Sequence, residues 1–310
     1  MVLTASRLAT FLGKPLVGED VRIQVVCTLD RPLSNSLLFA TQFSEKYLCT
    51  LNETESCLVL ACHDYAGRLT VSHILSENPR LDLALVLQAF FDPPKESGVK
   101  STAVVAEDVR MGEGVHIGDY TVVGKNVKIG DHTVISHHVV ISDNCSIGSH
   151  CLIKSHSVIG EKGFGFVKNL EGRPINLPHL GTVRIGDHVE IGALNTVARG
   201  VIDNTVIEDH VKIDDHVHIA HNVKIGENAI IIACAEISGS AIIGKGAWLG
   251  PNCAIMDNVK IGVDAVVGLG AVVTKTVADG ASVLGNPARV IALKRSPEIS
   301  NDSEPGFSRT

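Results

Sequence analysis

Aromatic residues are scarce in this sequence: phenylalanine, tryptophan and tyrosine together make up 4% of its 310 residues. Large rings supply much of the buried area in an ordinary globular core. Here 45% of the residues are nevertheless hydrophobic, and 29 glycines accompany a high content of valine and isoleucine. A core of small, β-branched side chains with few rings indicates thin, repetitive packing of strands.

Three further features are missing. No run approaches the roughly 18 consecutive apolar residues of a membrane-spanning helix, and residues 1–14 are typical of a short amphipathic helix rather than a signal peptide. No basic excess is present, because 27 basic residues stand against 34 acidic ones, which argues against nucleic-acid binding. The eight cysteines form no CxxC pair. We therefore expect reduced thiols, some of them core filler, and a cytoplasmic location.

The strongest feature is an aliphatic residue that recurs every six positions. It does so over residues 111–159, 185–197 and 207–273. A six-residue period is typical of hexapeptide parallel β-helices, in which three strides make one coil and the repeated side chain points inward. The 24 strides predict a mainly β chain with a prism of about eight coils. Gly, Asn and Asp after the inward residue are expected to provide tolerant backbone at the corners.

These patterns divide the chain into three parts. Residues 1–95 predict a small α/β domain, with helices over 6–12 and 81–91 and strands over 21–28, 36–40 and 56–61. Residues 96–290 predict the hexapeptide domain, and the polar segment 291–310 predicts a disordered tail. The repeat is broken by residues 161–182 and by a four-residue slip within 198–206. Loops that interrupt a rigid scaffold often carry binding residues, so the longer one is a candidate functional loop.

Fourteen histidines occur, and three of them cluster at His216, His218 and His221. The cluster has no recognised zinc spacing, so we expect neither a metal nor a cofactor. An imidazole titrates near neutrality and can remove a proton from an attacking amine or hydroxyl. His221 is the best candidate for such a base because it follows the inward-facing Ile219, whose backbone is held by coil stacking. On the residues alone, a structural histidine at this position is equally open.

Several segments together resemble one enzyme family. They are 163–166 (GFGF), 199–200 (RG), 202–205 (IDNT), 219–223 (IAHNV) and, in the first domain, 36–39, 46–47 and 78–91. These are similar to the UDP-3-O-(3-hydroxyacyl)glucosamine N-acyltransferases of lipid A biosynthesis over roughly residues 4–290. The resemblance implies a left-handed β-helix and a homotrimer with active sites between adjacent prisms. It also implies transfer of a 3-hydroxyacyl chain from acyl carrier protein to the amine of a nucleotide-linked glucosamine.

The resemblance assigns roles to residues by position. His221 matches the catalytic base, and Gly239 matches the backbone N–H donor that stabilises the tetrahedral intermediate. Asp214 matches a carboxylate near the base. Asn222, next to the base, is a further candidate for substrate binding.

The N-terminal domain carries the expected nucleotide contacts. Phe39 and Tyr47 resemble the aromatic pair that holds the uracil of the nucleotide sugar. For Phe39, packing in the core of a strand is the alternative. Tyr47 is displaced by about two residues from the family position.

Three departures from the family pattern keep other functions open. Asn258 stands where the family has a second active-site histidine, Ala198 replaces the usual Asp before Arg-Gly, and the ending 284–290 (LGNPARV) resembles coenzyme-A-dependent sugar acetyltransferases. The donor is therefore an acyl carrier protein thioester or acyl-CoA, and the acceptor is UDP-3-O-acyl-glucosamine or another nucleotide amino sugar of a surface polysaccharide. A non-catalytic β-helix scaffold is a third alternative, against which His221 and both loops argue.

Overall fold

The computed structural model describes residues 2–93 and 96–291. The described residues up to 93 form one compact unit, and those from 96 onward form a second. Apart from Ile291, the expected disordered tail lies outside the described residues. No helix within the described residues is long and apolar enough to cross a bilayer.

The N-terminal unit is built on a four-stranded parallel sheet. In spatial order its strands are Val25–Val26, Ser36–Ala40, Leu58–Cys62 and Ser72–Ser76. The helical segments are Ala5–Leu12, Glu45–Glu53, the 3-10 turn His63–Tyr65, and Pro79–Val86 with its π-helical continuation Leu87–Phe91. Strands Leu3–Thr4 and Arg22–Ile23 form a separate antiparallel pair. Alternate strand residues enter two apolar clusters: Leu37 packs with the first and third α-helices, and Leu38 packs with the second.

Most of the elements expected in this unit are present. Strand 36–40 is found as predicted, whereas the expected strand over 21–28 is two short strands interrupted at Gln24. Helix Glu45–Glu53 and strand Ser72–Ser76 are present although the sequence analysis missed them. Both are short, and a strand of five residues is too brief for its alternation to stand out from its surroundings.

The second unit consists of short strands that belong in turn to three parallel sheets, followed by one antiparallel strand. The first sheet contains Gly98–Val99, His116–Ile117, Val134–Ile135, Leu152–Ile153, Glu190–Ile191, Lys212–Ile213, Ile230–Ile231, Trp248–Leu249, Val266–Val267, Ser282–Leu284 and the antiparallel Arg289–Ile291. The second contains Val104–Val105, Val122–Val123, Val140–Ile141, Val158–Glu161, Thr196–Ala198, His218–Ile219, Glu236–Ile237, Ala254–Ile255 and Val272–Val273. The third contains Arg110–Met111, Lys128–Ile129, Ser146–Ile147, Val183–Ile185, Thr205–Ile207, Lys224–Ile225, Ile242–Ile243 and Lys260–Ile261. Phe166–Lys168 and Pro174–Asn176 form a separate hairpin.

Each coil pairs in register with the next one, so like side chains stack. Ile117 pairs with Ile135, 18 residues on, and both are fully buried. Over the described residues the second sheet has nine strands, one more than the number of coils that the sequence predicted. The difference arises because the six-residue stride extends back through Val105 and Val99.

A second inward position follows four residues after each repeated aliphatic. Small side chains fill it, among them Val127, Cys145, Cys253 and Ala241, each at most 1% exposed. All eight cysteines are free, and burial raises the pKa of the Cys253 thiol to about 12. The prediction that several cysteines serve as core filler is confirmed, and a thiolate nucleophile at Cys253 is excluded near neutral pH.

The corners have two backbone requirements, a left-handed conformation and space for the next coil, and different residues meet them. The sequence pattern assigned both to glycine, asparagine and aspartate together. The left-handed conformation falls to the third residue after each aliphatic, such as His132 (φ 55°), Asn222 (φ 62°) and Asn258 (φ 59°). Gly244, directly after an aliphatic, is needed for space instead, because its Cβ would lie 2.5 Å from the backbone of the next coil. Seven of the fourteen histidines have this left-handed conformation. Four of them, His132, His150, His188 and His210, form one corner column with ring centroids 4.8–5.2 Å apart.

Neighbouring isoleucines on one strand test the inward assignment. Ile243 is 1% exposed and Ile242 is 42% exposed. We expect Ile243→Ala to lower the free energy of unfolding by about 2–5 kcal/mol, because it leaves a cavity between stacked coils. Ile242→Ala is the matched control and should change it by less than about 0.5 kcal/mol. Urea unfolding followed by circular dichroism measures both, and equal losses would contradict the assignment.

Candidate active site

Both interruptions of the repeat leave the β-helix at the same corner. The long loop, residues 161–182, follows a second-sheet strand and precedes a third-sheet strand, and the slip within 198–206 does the same one coil later. In the next coil this corner carries His221, which lies between strands His218–Ile219 and Lys224–Ile225. One corner therefore brings together both loops and the candidate base.

Backbone hydrogen bonds fasten the two loops to each other. The N–H of Leu180 donates to the carbonyl of Val201 at 2.7 Å, and the N–H of Gly181 donates to the carbonyl of Gly200 at 3.0 Å. The chains approach so closely that a Cβ on Gly200 would lie 1.7 Å from the carbonyl oxygen of Asp203. Only glycine fits there, which is the physical basis of the Arg-Gly pair.

Asn222 connects this loop network to His221. Its Oδ1 accepts from the N–H of Val201 at 3.0 Å, and its Nδ2 donates to the carbonyl of Asp203 at 3.3 Å. The His221 Nδ1 lies 3.2 Å from the same Oδ1. Because that oxygen can only accept, Nδ1 carries the hydrogen and Nε2 holds a free lone pair. The amide of Asn222 thus fastens the slip and orients the candidate base, and its expected contact with substrate stays a prediction.

Gly239 lies against the ring of His221 at the same corner of the next coil. A Cβ at Gly239 would be 2.6 Å from Cε1 and 2.8 Å from Nε2 of His221, so the backbone at Gly239 borders the lone pair. At the equivalent position earlier in this corner, the N–H of Lys125 donates to Asp143 Oδ1 at 2.7 Å.

No counterpart of this hydrogen bond is found at the candidate site within the described residues. Asp257 is the corresponding carboxylate below Gly239, and its Oδ2 instead accepts from Asn258 Nδ2 at 2.9 Å. Among the described residues the N–H of Gly239 donates to no acceptor. A proton acceptor therefore lies beside an unused N–H donor. Such a pair can deprotonate a nucleophile and stabilise an oxyanion formed next to it.

A second imidazole, which the sequence analysis missed, reaches His221 from the long loop. The rings of His179 and His221 have centroids 5.4 Å apart and planes inclined at 72°. His179 is 5% exposed. Its only sequence signal was its place in a loop already suspected of function, because no spacing relates a loop residue to a coil corner 42 positions later.

The remaining candidates in this unit lie at different distances from His221. Asn258 is at the same corner, two coils on, and exposed. Asp214 is at the preceding corner, between the first and second sheets, where its Oδ1 accepts from the N–H of Asp215. His216 is at that preceding corner too, and His218 points outward from the second sheet. Among the described residues, no group of three or more His, Cys, Asp or Glu side chains is arranged to hold a metal ion.

The N-terminal unit does not bring its two candidate aromatics together. Phe39, in the strand Ser36–Ala40, packs on the cluster of the first and third α-helices. Tyr47 is on the second helix, which packs against the opposite face, and its hydroxyl donates to Asp30 at 3.1 Å. Phe39 nevertheless lies near the carboxyl end of its strand, at the edge of a parallel sheet where ligands of open α/β sheets bind.

Sequence comparisons give consistent relatives. The bacterial transferase hexapeptide family (six repeats) matches residues 108–143, 126–161 and 204–239. The UDP-3-O-acylglucosamine N-acyltransferase of Coxiella burnetii (strain RSA 493 / Nine Mile phase I) is 32% identical over 231 residues, 68% of this chain and 67% of the relative. A protein of the same name from Francisella tularensis subsp. holarctica is 38% identical over 222 residues, 64% of this chain and 65% of the relative.

Solved structures share the fold. The UDP-N-acetylglucosamine O-acyltransferase of Moraxella catarrhalis aligns with a TM-score of 0.57 and 28% identity, covering 63% of this chain and 74% of that one. The UDP-N-acetylglucosamine acyltransferase of Francisella novicida aligns with a TM-score of 0.58 and 27% identity, covering 64% and 71%. Together with the three parallel sheets and the repeat, these likenesses confirm the predicted mainly β, left-handed parallel β-helix fold class.

The hydrogen bond to Asn222 predicts a specific tautomer of His221. In protein labelled with 15N-histidine at a pH where the ring is neutral, we expect its Nδ1 to carry the hydrogen, because its neighbour there can only accept. The His221→Ala spectrum assigns the signal among the fourteen histidines. Asn222→Ala should shift the ring towards the other tautomer. An Nε2–H tautomer in the unmutated protein would contradict the proposed lone pair.

Proposed function

This chain is an acyltransferase of the UDP-3-O-acylglucosamine N-acyltransferase family, and we propose that it catalyses an N-acyl transfer in lipid A biosynthesis. In this proposal a 3-hydroxyacyl chain passes from acyl carrier protein to the 2-amino group of a UDP-3-O-acyl-glucosamine. One observation supports this assignment of the site most strongly. The Nε2 of His221, which has a free lone pair, lies against Gly239, whose N–H has no acceptor among the described residues.

The proposed chemistry uses these two groups in sequence. His221 Nε2 removes a proton from the amine as its nitrogen attacks the thioester carbonyl. The oxygen of the tetrahedral intermediate becomes negative and accepts a hydrogen bond from the N–H of Gly239. The intermediate then collapses, the carbon–sulfur bond breaks, and the proton on His221 passes to the leaving thiolate. The products are an amide and a thiol, and His221 returns to its neutral form.

We propose that the enzyme works as a homotrimer with its active sites between subunits. The long loop supports this, since Phe164, Leu170 and Leu180 are each at least 80% exposed, and an apolar surface of this kind is usually covered in an assembly. Asp214, one corner away from His221 in its own chain, is then available to line the proposed active site of an adjacent subunit. Asn258 is proposed as a substrate contact that also holds Asp257 away from Gly239.

The N-terminal unit is proposed to hold the nucleotide of the acceptor. Phe39 is the proposed contact for the uracil because it ends near the carboxyl edge of the parallel sheet. Tyr47 is proposed to contact the nucleotide separately, since its helix packs on the other face of the sheet. We also propose a cytoplasmic location, in keeping with eight free thiols.

Replacing His221 tests the function directly. We expect His221→Ala to lower kcat by about 10²–10⁴-fold on a UDP-3-O-acyl-glucosamine acceptor, the usual cost of losing a positioned base. KM for the sugar nucleotide should stay near its original value, because proton removal occurs only in the transition state. Steady-state assays measure both, and His216→Ala and His218→Ala are the controls, since neither ring lies at this corner. Near-normal turnover in His221→Ala would overturn the role of His221 as the base, whereas no turnover in the unmutated protein would favour the scaffold alternative.

The acyl donor distinguishes the two enzymatic alternatives. Under the proposal, 3-hydroxyacyl groups on acyl carrier protein are transferred efficiently, whereas the same or shorter groups on coenzyme A are poor donors. The measurement is kcat/KM with each donor at a fixed concentration of UDP-3-O-acyl-glucosamine. A preference for short acyl-CoA would instead support an acyltransferase acting on another nucleotide-linked amino sugar.

A further inference from the structure

His179 has an acceptor atom that the protein itself leaves unused. Its Nδ1 lies 2.9 Å from the carbonyl oxygen of Leu177. Since a carbonyl can only accept, Nδ1 carries the hydrogen, and Nε2 of the neutral ring holds a lone pair. That nitrogen is buried and has no hydrogen-bond partner among the described residues. An unpaired buried acceptor costs about 1–3 kcal/mol, so its retention calls for a compensating role.

The unused nitrogen lies beside the candidate base. Gly163 marks the place: a Cβ there would be 2.9 Å from His179 Nε2 and 3.3 Å from both Cβ and Cδ2 of His221. Both imidazoles therefore lie against the backbone of Gly163, where a side chain larger than that of glycine would collide with them. Gly165 borders the same ring, with its Cβ position 3.2 Å from His179 Cε1. The two glycines of the GFGF segment therefore let the loop fold over this pair of rings.

The contact also limits where the His221 ring can go. Gly239 is close to its Nε2 and Cε1, and Gly163 is close to its Cδ2. Its Nδ1 is hydrogen-bonded to Asn222, and the ring of His179 packs against it edge to face. A positive charge that develops on His221 would be close to the ring and the lone pair of His179, which is itself buried.

We propose that His179 is a positioning residue for His221: its ring holds the imidazole against Gly239, and its unpaired Nε2 stabilises that imidazole when it has taken a proton. This inference rests on the proposed role of His221 as the base. It places the second imidazole of the active site in the long loop, whereas position 258 carries an asparagine. The proton still moves only between substrate and His221, and His179 neither gains nor loses one.

Other ionisable side chains lie at this corner, and four of them form hydrogen bonds with groups other than His221. Arg199 donates from Nε to the carbonyl of Gly160, Glu161 accepts from Ser142, Glu236 accepts from Ser238 and Asp257 accepts from Asn258. The other charged residues of the two loops and of the strand that follows His221 are Lys162, Lys168, Glu171, Arg173, Asp203 and Lys224. Within the described residues, no hydrogen bond or ion pair joins any of these side chains to His221, so substitution of His179 breaks none of their interactions with the base.

His179→Phe keeps a ring in place and removes the lone pair. We expect the midpoint of the 15N-histidine titration of His221 to move to lower pH, because the protonated ring loses its stabilisation. We expect kcat to fall about 10–100-fold, as when a hydrogen-bonding partner behind an active histidine is removed, with KM for the sugar nucleotide unchanged. His150→Phe, in the corner column of stacked histidines, is the matched control and should change neither quantity.

His179→Gln separates the lone pair from ring packing. Its side-chain oxygen can replace the acceptor, so we expect it to restore much of the titration midpoint and of kcat. An unchanged His221 midpoint together with normal kcat in His179→Phe would overturn the proposal. So would a glutamine variant that is as impaired as the phenylalanine variant, or impairment explained by a lowered melting temperature. The titration does not depend on which acyl transfer the protein performs, so it remains decisive if the proposed substrate fails.

Discussion

The in-register stacking of one coil on the next is the constraint on which the rest of the structure depends. Pairing at 18-residue intervals places each repeated aliphatic over its counterpart, as Ile117 lies over Ile135. The backbone ladder and the apolar column therefore form together, and neither is stable without the other, since a single coil cannot bury its inner face. Small side chains at the second inward position follow from the same spacing, and this accounts for the scarcity of aromatic residues.

The same stacking explains how a rigid, repetitive scaffold acquires one irregular corner. Both loops interrupt the chain between the second and third sheets, so the regular coils on either side hold their ends at a fixed separation. The loops then bind each other through Leu180 and Gly181, and the slip binds Asn222. Asn222 in turn orients His221. A base held in this way needs little reorganisation when the substrate arrives, which is the condition for effective proton transfer.

The chemistry proposed for this corner depends on hydrogen-bonding groups that have no partner among the described residues. The N–H of Gly239 has no acceptor in the described part of the chain, and the Asp257 carboxylate accepts a hydrogen bond from Asn258 and not from Gly239. The lone pair of His221 is free because Asn222 fixes the hydrogen on the other nitrogen. Unpaired polar groups lower stability where they are buried. The unpaired groups of His179, His221 and Gly239 all lie at one corner, which supports the proposal that this corner binds a ligand.

Local regularity allowed the sequence by itself to determine the β-helix, the inward aliphatic column and the two breaks in it, because a six-residue period is visible without knowledge of distant contacts. It also singled out His221 and Gly239, through resemblance. It could not relate His179 to His221, since a loop of 22 residues has no period and its path depends on tertiary packing against Gly163. Nor could it show that Phe39 and Tyr47 pack on opposite faces of a sheet, or that the amide of Asn222 is taken by the slip. Those outcomes depend on which groups the folded backbone brings within hydrogen-bonding distance, and only the tertiary structure decided them.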